Sequence, residues 1–483
     1  LSFAFPSRSG YARSLSIGLI REEARNEELT ERAVIVAGVG PVPPHEPEKL
    51  HAPGLRLWGF ADHLERRGHR VVLCEAMFGG AEARARPELF AGRRIAHEIL
   101  PLDLDGAAAR LRQIAARERA GALVASTDII NAAAAIARLP IPIWLDFNGH
   151  PMTERQMLTR VFNSDDGLID QWRMVLPSLL GGDRFSVCCR AQKGASIGEL
   201  GAVGRLNRHT TGLDLVEVIY PGLAVEPPEG KPGAIRGKLA PEGATIVLSA
   251  GGFNTWFDEA TLFRGAELAM AREPAVHFVA VGGAIAGHNE KTFAAFRERV
   301  AASRFAERFH FAGWVPWAAL ADHYRESDLA VNLDLPTYEG VFGWRNRTIE
   351  WAAAGVPIAT TTVSELGEDL ASRGLVEPIA CGDAEALAEA IVRCGARRAE
   401  FRARAGRARA YVKERYDYAK QIEPITRWLE APSAAPDLPP PRERPGVKGA
   451  IRPNNSLAEA AENAGAATNP TPARRSRLRR LFG

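Results

Sequence analysis

What this sequence lacks narrows the field before any motif is considered. No uninterrupted apolar stretch approaches the roughly 18 residues that a membrane-spanning helix needs, and the first residues show no charged region followed by an apolar core. A cytoplasmic protein is expected. Cysteine is scarce: Cys74, Cys188, Cys189, Cys381 and Cys394 form no CxxC pair, and an odd number in 483 residues argues against a disulfide framework. Reduced, buried thiols are the expectation. HxxxH and convincing paired-Asp signatures are also missing, so no metal site is predicted. Excess charge of one sign is small, at +3 overall, and concentrated: residues 431–483 hold nine Lys/Arg against four Asp/Glu, which leaves the rest of the chain near −2. A body without a basic face of its own is not expected to bind nucleic acid.

What is present suits a globular α/β chain. Apolar residues make up 46% and charged residues 25%, near the soluble average, and the length suggests two large domains with tails. Residues 1–32 read as a loose extension. Short apolar runs ending in Gly or Pro then alternate with helical stretches, as in Ala33–Gly38, Arg70–Cys74, Ala122–Ala125 and Ile141–Leu145. After a Pro- and Gly-rich linker at 226–243 the alternation restarts with Thr245–Ser249, followed by His277–Val281, Arg308–Phe311, Leu329–Leu333 and Val356–Thr360. Two doubly wound parallel sheets are predicted, at 33–225 and 244–430. Residues 431–483 read as a Pro- and Ala-rich disordered tail ending in Arg474–Phe482, a basic and apolar segment that suits either an anionic lipid surface or plain solvation.

In open α/β sheets ligands gather beyond the carboxyl ends of the strands, so the residues there are the candidates. Gly251 and Gly252 let backbone approach a ligand, with Asn254 and Thr255 as side-chain donors, and Gly282 and Gly283 offer bare backbone to a base or ribose. Each glycine pair also has the simpler reading of an ordinary turn. In Tyr338–Pro357 a helix is predicted from near Gly343 to the Gly355/Pro357 stop. Its period places Gly343, Asn346, Arg347 and Glu350 on one face. Arg347 is positioned to neutralise a diphosphate and Glu350 to accept ribose hydroxyls, against the alternative of an exposed Arg347–Glu350 pair. Arg345 reaches that face only through an irregular first turn. In the first half, Asp146, Asn148, His150 and Glu154 cluster after a strand; His150 is placed either to bond a sugar or phosphate or as a structural residue. Further on, Arg205 follows a glycine-ended helix, where it could meet phosphate.

These residues together resemble the GT-B retaining glycosyltransferases of the group 1, or family 4, kind, most closely over Thr245–Thr362. The family's glycine loop corresponds to Gly251 and Gly252, and its Glu-Ala-x-Ala-x-Gly-x-Pro stretch to Glu350-Trp-Ala-Ala-Ala-Gly355-Val-Pro357, which makes Glu350 similar to the ribose-binding glutamate and His150 a counterpart of the cleft histidine. The resemblance implies two Rossmann-like domains facing across a cleft, and a nucleotide-sugar donor held as substrate by the second domain, with no cofactor. It also implies a carbohydrate or lipid-linked acceptor entering from the first domain, and retention without a metal. Two features depart from the family. Its first glutamate is replaced, with Glu339 the nearest acid, and the basic pair after the glycine loop is missing, so the charge falls to Arg347 with Arg345. A sugar-nucleotide epimerase of the same fold and a non-catalytic nucleotide-sugar-binding protein are the rival readings.

Overall fold

In the computed structural model, residues 32–48, 51–77 and 84–435 are described. The extension at 1–31 and most of the tail, including its basic end, lie outside them. Seven strands form the front sheet: β1 (Val34–Val39), β2 (Val71–Ala76), β3 (Ile95–Leu100), β4 (Ala122–Ser126), β5 (Ile143–Phe147), β6 (Arg184–Val187) and β7 (Val216–Val218), in spatial order 3-2-1-4-5-6-7. Six form the rear sheet: β8 (Thr245–Gly252), β9 (Val276–Gly283), β10 (Phe309–Gly313), β11 (Leu329–Asn332), β12 (Ile358–Thr361) and β13 (Glu377–Ile379), in order 10-9-8-11-12-13. Every pairing within both sheets is parallel.

The central strands are buried from end to end, as in Val34–Val39 and Val71–Ala76. A parallel strand with helices on both faces has no wet side, which is why these segments read as continuous apolar runs rather than alternating ones. In each sheet the order reverses beside its first strand, between β1 and β4 and between β8 and β11. There the connections leave in opposite directions and open a crevice at the carboxyl ends.

Six helices frame those ends: α1 (Ala52–Arg66), α2 (Pro151–Phe162), α3 (Arg190–Ala202), α4 (Glu259–Arg272), α5 (Tyr338–Phe342) and α6 (Asn346–Ala354). Two further short helices, α7 (Tyr418–Gln421) and α8 (Glu423–Glu430), close the described chain. Their Tyr418, Ile422, Ile425, Trp428 and Leu429 pack into the front domain's core with Trp58, Val34 and Trp144. The division at 244–430 expected from sequence therefore differs from the packing, because the last two helices cross back to the front. Ile219 belongs to the front core, whereas Tyr220, Ile235 and Ala240 join the rear one. The change of domain falls within 219–225, where Tyr220 and Leu223 pack against the rear core while Ala224 and Val225 pack against the front one, and the Pro- and Gly-rich 226–243 stretch lies against the rear domain.

The two domains meet at the carboxyl ends of their sheets. The His150 ring lies 5.0 Å from the Phe342 ring, the Cys189 thiol donates to the Phe342 carbonyl at 3.3 Å, and Glu365 of the rear domain accepts from the Arg190 amide at 2.7 Å and pairs with the Arg190 guanidinium at 3.1 Å.

Candidate functional site

The rear half of the cleft is built from bare backbone. β8 and β9 run in register to their glycine ends, Gly251 beside Gly282 and Gly252 beside Gly283. Gly251, Gly282 and Gly283 all take positive φ, at 103°, 100° and 139°. A Cβ on Gly282 would stand 2.5 Å from the Gly251 carbonyl oxygen, and one on Gly252 2.5 Å from Ile285. Glycine is required here by conformation and by space.

Arg347 lies against this surface from the first turn of α6. Its Nη2 donates to the Gly252 carbonyl at 2.7 Å and its guanidinium sits 5.7 Å from the Phe257 ring. Nη1 is buried and has no protein partner. Burial, reinforced by the nearby Arg345, lowers the Arg347 pKa from its ordinary value. A part-desolvated cation with a donor to spare is a group awaiting an anion.

One turn later, Glu350 has its pKa pushed up to about 7 by burial, against the pull of Arg347 and a hydrogen bond from Tyr324. Asn346, Ile349 and Glu350 line a cavity of about 10 Å³ with Trp317, the inter-domain residues 222–225 and, from the front domain, Leu55, which is room for about one water. A larger groove of about 870 Å³ lies along Pro140–Ile143 and Pro177, at the amino end of β5, away from the crevice.

Asn346, Arg347 and Glu350 share a face of α6 as the period predicts. The helix, however, begins at Asn346 instead of near Gly343. Gly343 is extended, with φ −76° and ψ 157°, and ends α5. This break turns Arg345 inward. Its Nε donates to Asp334 at 2.9 Å and its Nη2 to Glu339 at 2.8 Å, with its charge 5.0 Å from the Trp256 ring. Arg345 was expected to share the diphosphate charge; its guanidinium is instead committed to two carboxylates. Glu339, expected near the donor sugar, is likewise buried and engaged by Arg345, and burial raises its pKa to about 7. Both residues hold the loop before α6 in place.

Asn254 accepts from the Thr255 amide at 2.8 Å, and His288 Nε2 lies 3.2 Å from its Oδ1. Thr255 is 2% exposed, and its hydroxyl has no protein partner. In the front domain, His150 caps α2, its Nδ1 accepting from the Thr153 amide at 3.3 Å, and its Nε2 lies 3.3 Å from Glu199, outside hydrogen-bond geometry. The histidine is thus structural and cleft-lining at once. Asp146, read as part of a cleft cluster, is a core residue: it receives Arg56 from α1 at 2.6 and 3.0 Å and the Ser126 and Ser186 hydroxyls. Arg205 is buried too and donates to the Leu179 and Leu180 carbonyls at a helix end, far in role from the phosphate contact considered for it.

Residues 244–396 match the family model described as Glycosyl transferases group 1. The rear domain is a group 1 glycosyltransferase domain. The chain that carries it is a transferase enzyme with the GT-B fold, in which this group 1 domain supplies the second of two Rossmann-like lobes. Solved structures share the whole arrangement. HepE from Anabaena, solved in complex with UDP and glucose, is 16% identical over 83% of this chain and 99% of its own, with a TM-score of 0.57. Sucrose-phosphate synthase from Thermosynechococcus elongatus is 17% identical over 83% and 99%, with a TM-score of 0.61. OtsA is 13% identical over 84% and 100%, at 0.60. No curated protein sequence matches the chain.

Sequence reasoning missed Tyr324, which bonds Glu350, and Asp334, which fixes Arg345. Neither carries a local motif; only the fold brings them to α6. It also missed a cluster of His45, Glu75 and His97 in the front domain, where no ligand set was expected, because its members are scattered along the chain.

Proposed function

We propose that the enzyme moves a sugar from a nucleoside diphosphate sugar to a hydroxyl of a carbohydrate or lipid-linked acceptor, with retention at the anomeric carbon and with arginine, not a metal, neutralising the leaving diphosphate. The observation that carries this reading is the spare Nη1 of Arg347 beside the glycine ends of β8 and β9. As the bond from sugar to phosphate breaks, charge grows on the diphosphate. A guanidinium already desolvated and oriented by the Gly252 carbonyl meets it without reorganising. Glu350 accepts the ribose hydroxyls from the same helix face, and the acceptor enters from the front domain past His150. Another solved form of HepE holds UDP-glucose, which favours a UDP-sugar here. A cytoplasmic donor pool suits this chemistry, and a lipid-linked acceptor would suit membrane contact through the basic end of the tail.

The test has two parts. Melting temperature is measured with UDP, GDP, ADP and their sugars, since a ligand that binds the native state raises it. Turnover of the stabilising donor is then compared between the natural chain and Arg347→Ala. A loss of about 10²–10³-fold in kcat, with a smaller change in KM, is expected for a group acting mainly on the developing charge. Unchanged kcat would reject the assignment, and an altered nucleotide sugar formed without acceptor would identify an epimerase. Removing residues 470–483 should lower sedimentation with anionic vesicles; equal sedimentation would dismiss the membrane contact.

A further inference from the structure

Three segments of the front domain bring His45, Glu75 and His97 together: the loop after β1, the end of β2 and the middle of β3. Their side chains are 7%, 0% and 0% exposed. His45 Nδ1 lies 3.2 Å from one Glu75 oxygen and 3.3 Å from the other, His97 Nε2 lies 2.9 Å from Glu75, and the three ligand atoms all fall within 4.8 Å of one another. Ligands at about 2.0–2.1 Å from a tetrahedral ion stand roughly 3.3 Å apart, so this spacing needs little adjustment to close around one.

We propose that His45, Glu75 and His97 bind a divalent first-row transition ion of the zinc class, which ties the loop after β1 to β2 and β3 at the carboxyl end of the front sheet. Two imidazole nitrogens with one carboxylate favour such an ion over calcium or magnesium, which take mostly oxygen. An outer layer already orients the set. The Val42 amide donates to Glu75 Oε1 at 2.9 Å, the Phe90 ring leans on His97 at 5.3 Å, and the loop backbone presses so close that a Cβ on Gly40 would stand 2.2 Å from the same oxygen. Such second contacts hold metal ligands in register. Three protein ligands leave one position for water or for a further donor.

Without an ion the cluster is held by protons. The Arg86 amide donates to His97 Nδ1 at 2.9 Å, which leaves the proton of the neutral ring on Nε2, facing Glu75. Binding an ion through Nε2 requires the ring proton to shift to Nδ1, so the Arg86 contact must be given up on loading.

Full-length chain is stripped with a chelator, dialysed and titrated with Co²⁺ alone. One equivalent should develop the visible d–d bands of a four- or five-coordinate ion, Zn²⁺ should bleach them, and Zn²⁺ should raise the melting temperature. His97→Asn and His45→Asn, checked for folding by circular dichroism, should lose the bands. No bands and no Zn²⁺-dependent rise in the natural chain would overturn the proposal and leave an ion-free, proton-sharing cluster; bands that survive in both variants would overturn the placement. Should a variant fail to fold, the natural chain decides alone.

Discussion

Glu350 shows how one side chain links burial to donor binding. Its carboxyl has a pKa pushed up to about 7 because burial outweighs the help of Arg347 and Tyr324. Accepting ribose hydroxyls needs the ionised form, so below pH 7 a proton must leave before the donor binds. Affinity for the nucleotide should fall about tenfold per pH unit on the acid side, in keeping with 1.36 kcal/mol per unit, and level off above pH 7. Titration calorimetry with UDP from pH 5.5 to 8.5 checks this. Glu350→Gln should bind more weakly at pH 8 and lose the slope; a slope that persists would assign it to another group. At the residue scale the sequence was legible where the information is local. Arg347 and Glu350 stand three apart on a helix with clear stop signals, and that spacing is local information. The partners that set their behaviour, Tyr324 and the Gly252 carbonyl, come from elsewhere in the chain and leave no trace beside them.

At the scale of elements, the segment between β11 and α6 carries the divergence from simple pattern. A single helix from Gly343 was expected, yet α5 stops at Phe342 and α6 starts at Asn346. The reason is electrostatic as much as conformational. Arg345 between Asp334 and Glu339 makes a buried cluster of one cation and two carboxylates, and an unbroken helix would point that arginine elsewhere. Periodicity could not report this, because the two acids precede Arg345 by eleven and six residues and only the turn brings them to it. Removing the cation would strand the carboxylates. Arg345→Ala should cost about 3–5 kcal/mol in urea unfolding, whereas Arg345→Lys, which keeps the charge and loses the fork, should cost less. A neutral effect of Arg345→Ala on stability would mean that the cluster does not hold the loop. The strands fared better: β1, β2, β4 and β5 in front and β8 to β12 behind appear as apolar runs, because burial on both faces writes itself directly into composition. β3, β6, β7 and β13 were missed. β6, β7 and β13 are only three or four residues long, and β3, at a sheet edge, interleaves Ile95 and Leu100 with His97 and Glu98.

Across the whole molecule, two acids from different domains influence each other where the lobes meet. Glu154 on α2 has its pKa pushed up to about 8, first by burial and then by Glu339 of the rear domain and Asp128, with Arg345 opposing; Glu339 is itself raised to about 7. An acid whose pKa is higher in the closed form than in the open one favours closure while protonated. Opening would remove the contribution of Glu339 and lower the Glu154 pKa from about 8, so the closed form should lose ground as pH climbs towards about 8 and stay level above that. The chain should therefore open progressively over this window, seen as a rising radius of gyration in small-angle X-ray scattering, while circular dichroism holds constant. Glu154→Gln removes the titrating group and should stay compact at pH 8; expansion of that variant to the same degree would show that the interface opens for another reason. A donor that bridges Arg347 to the front domain should oppose the expansion, because its binding free energy adds to closure. The same scattering series with UDP present would then report donor capture and lobe movement in one measurement.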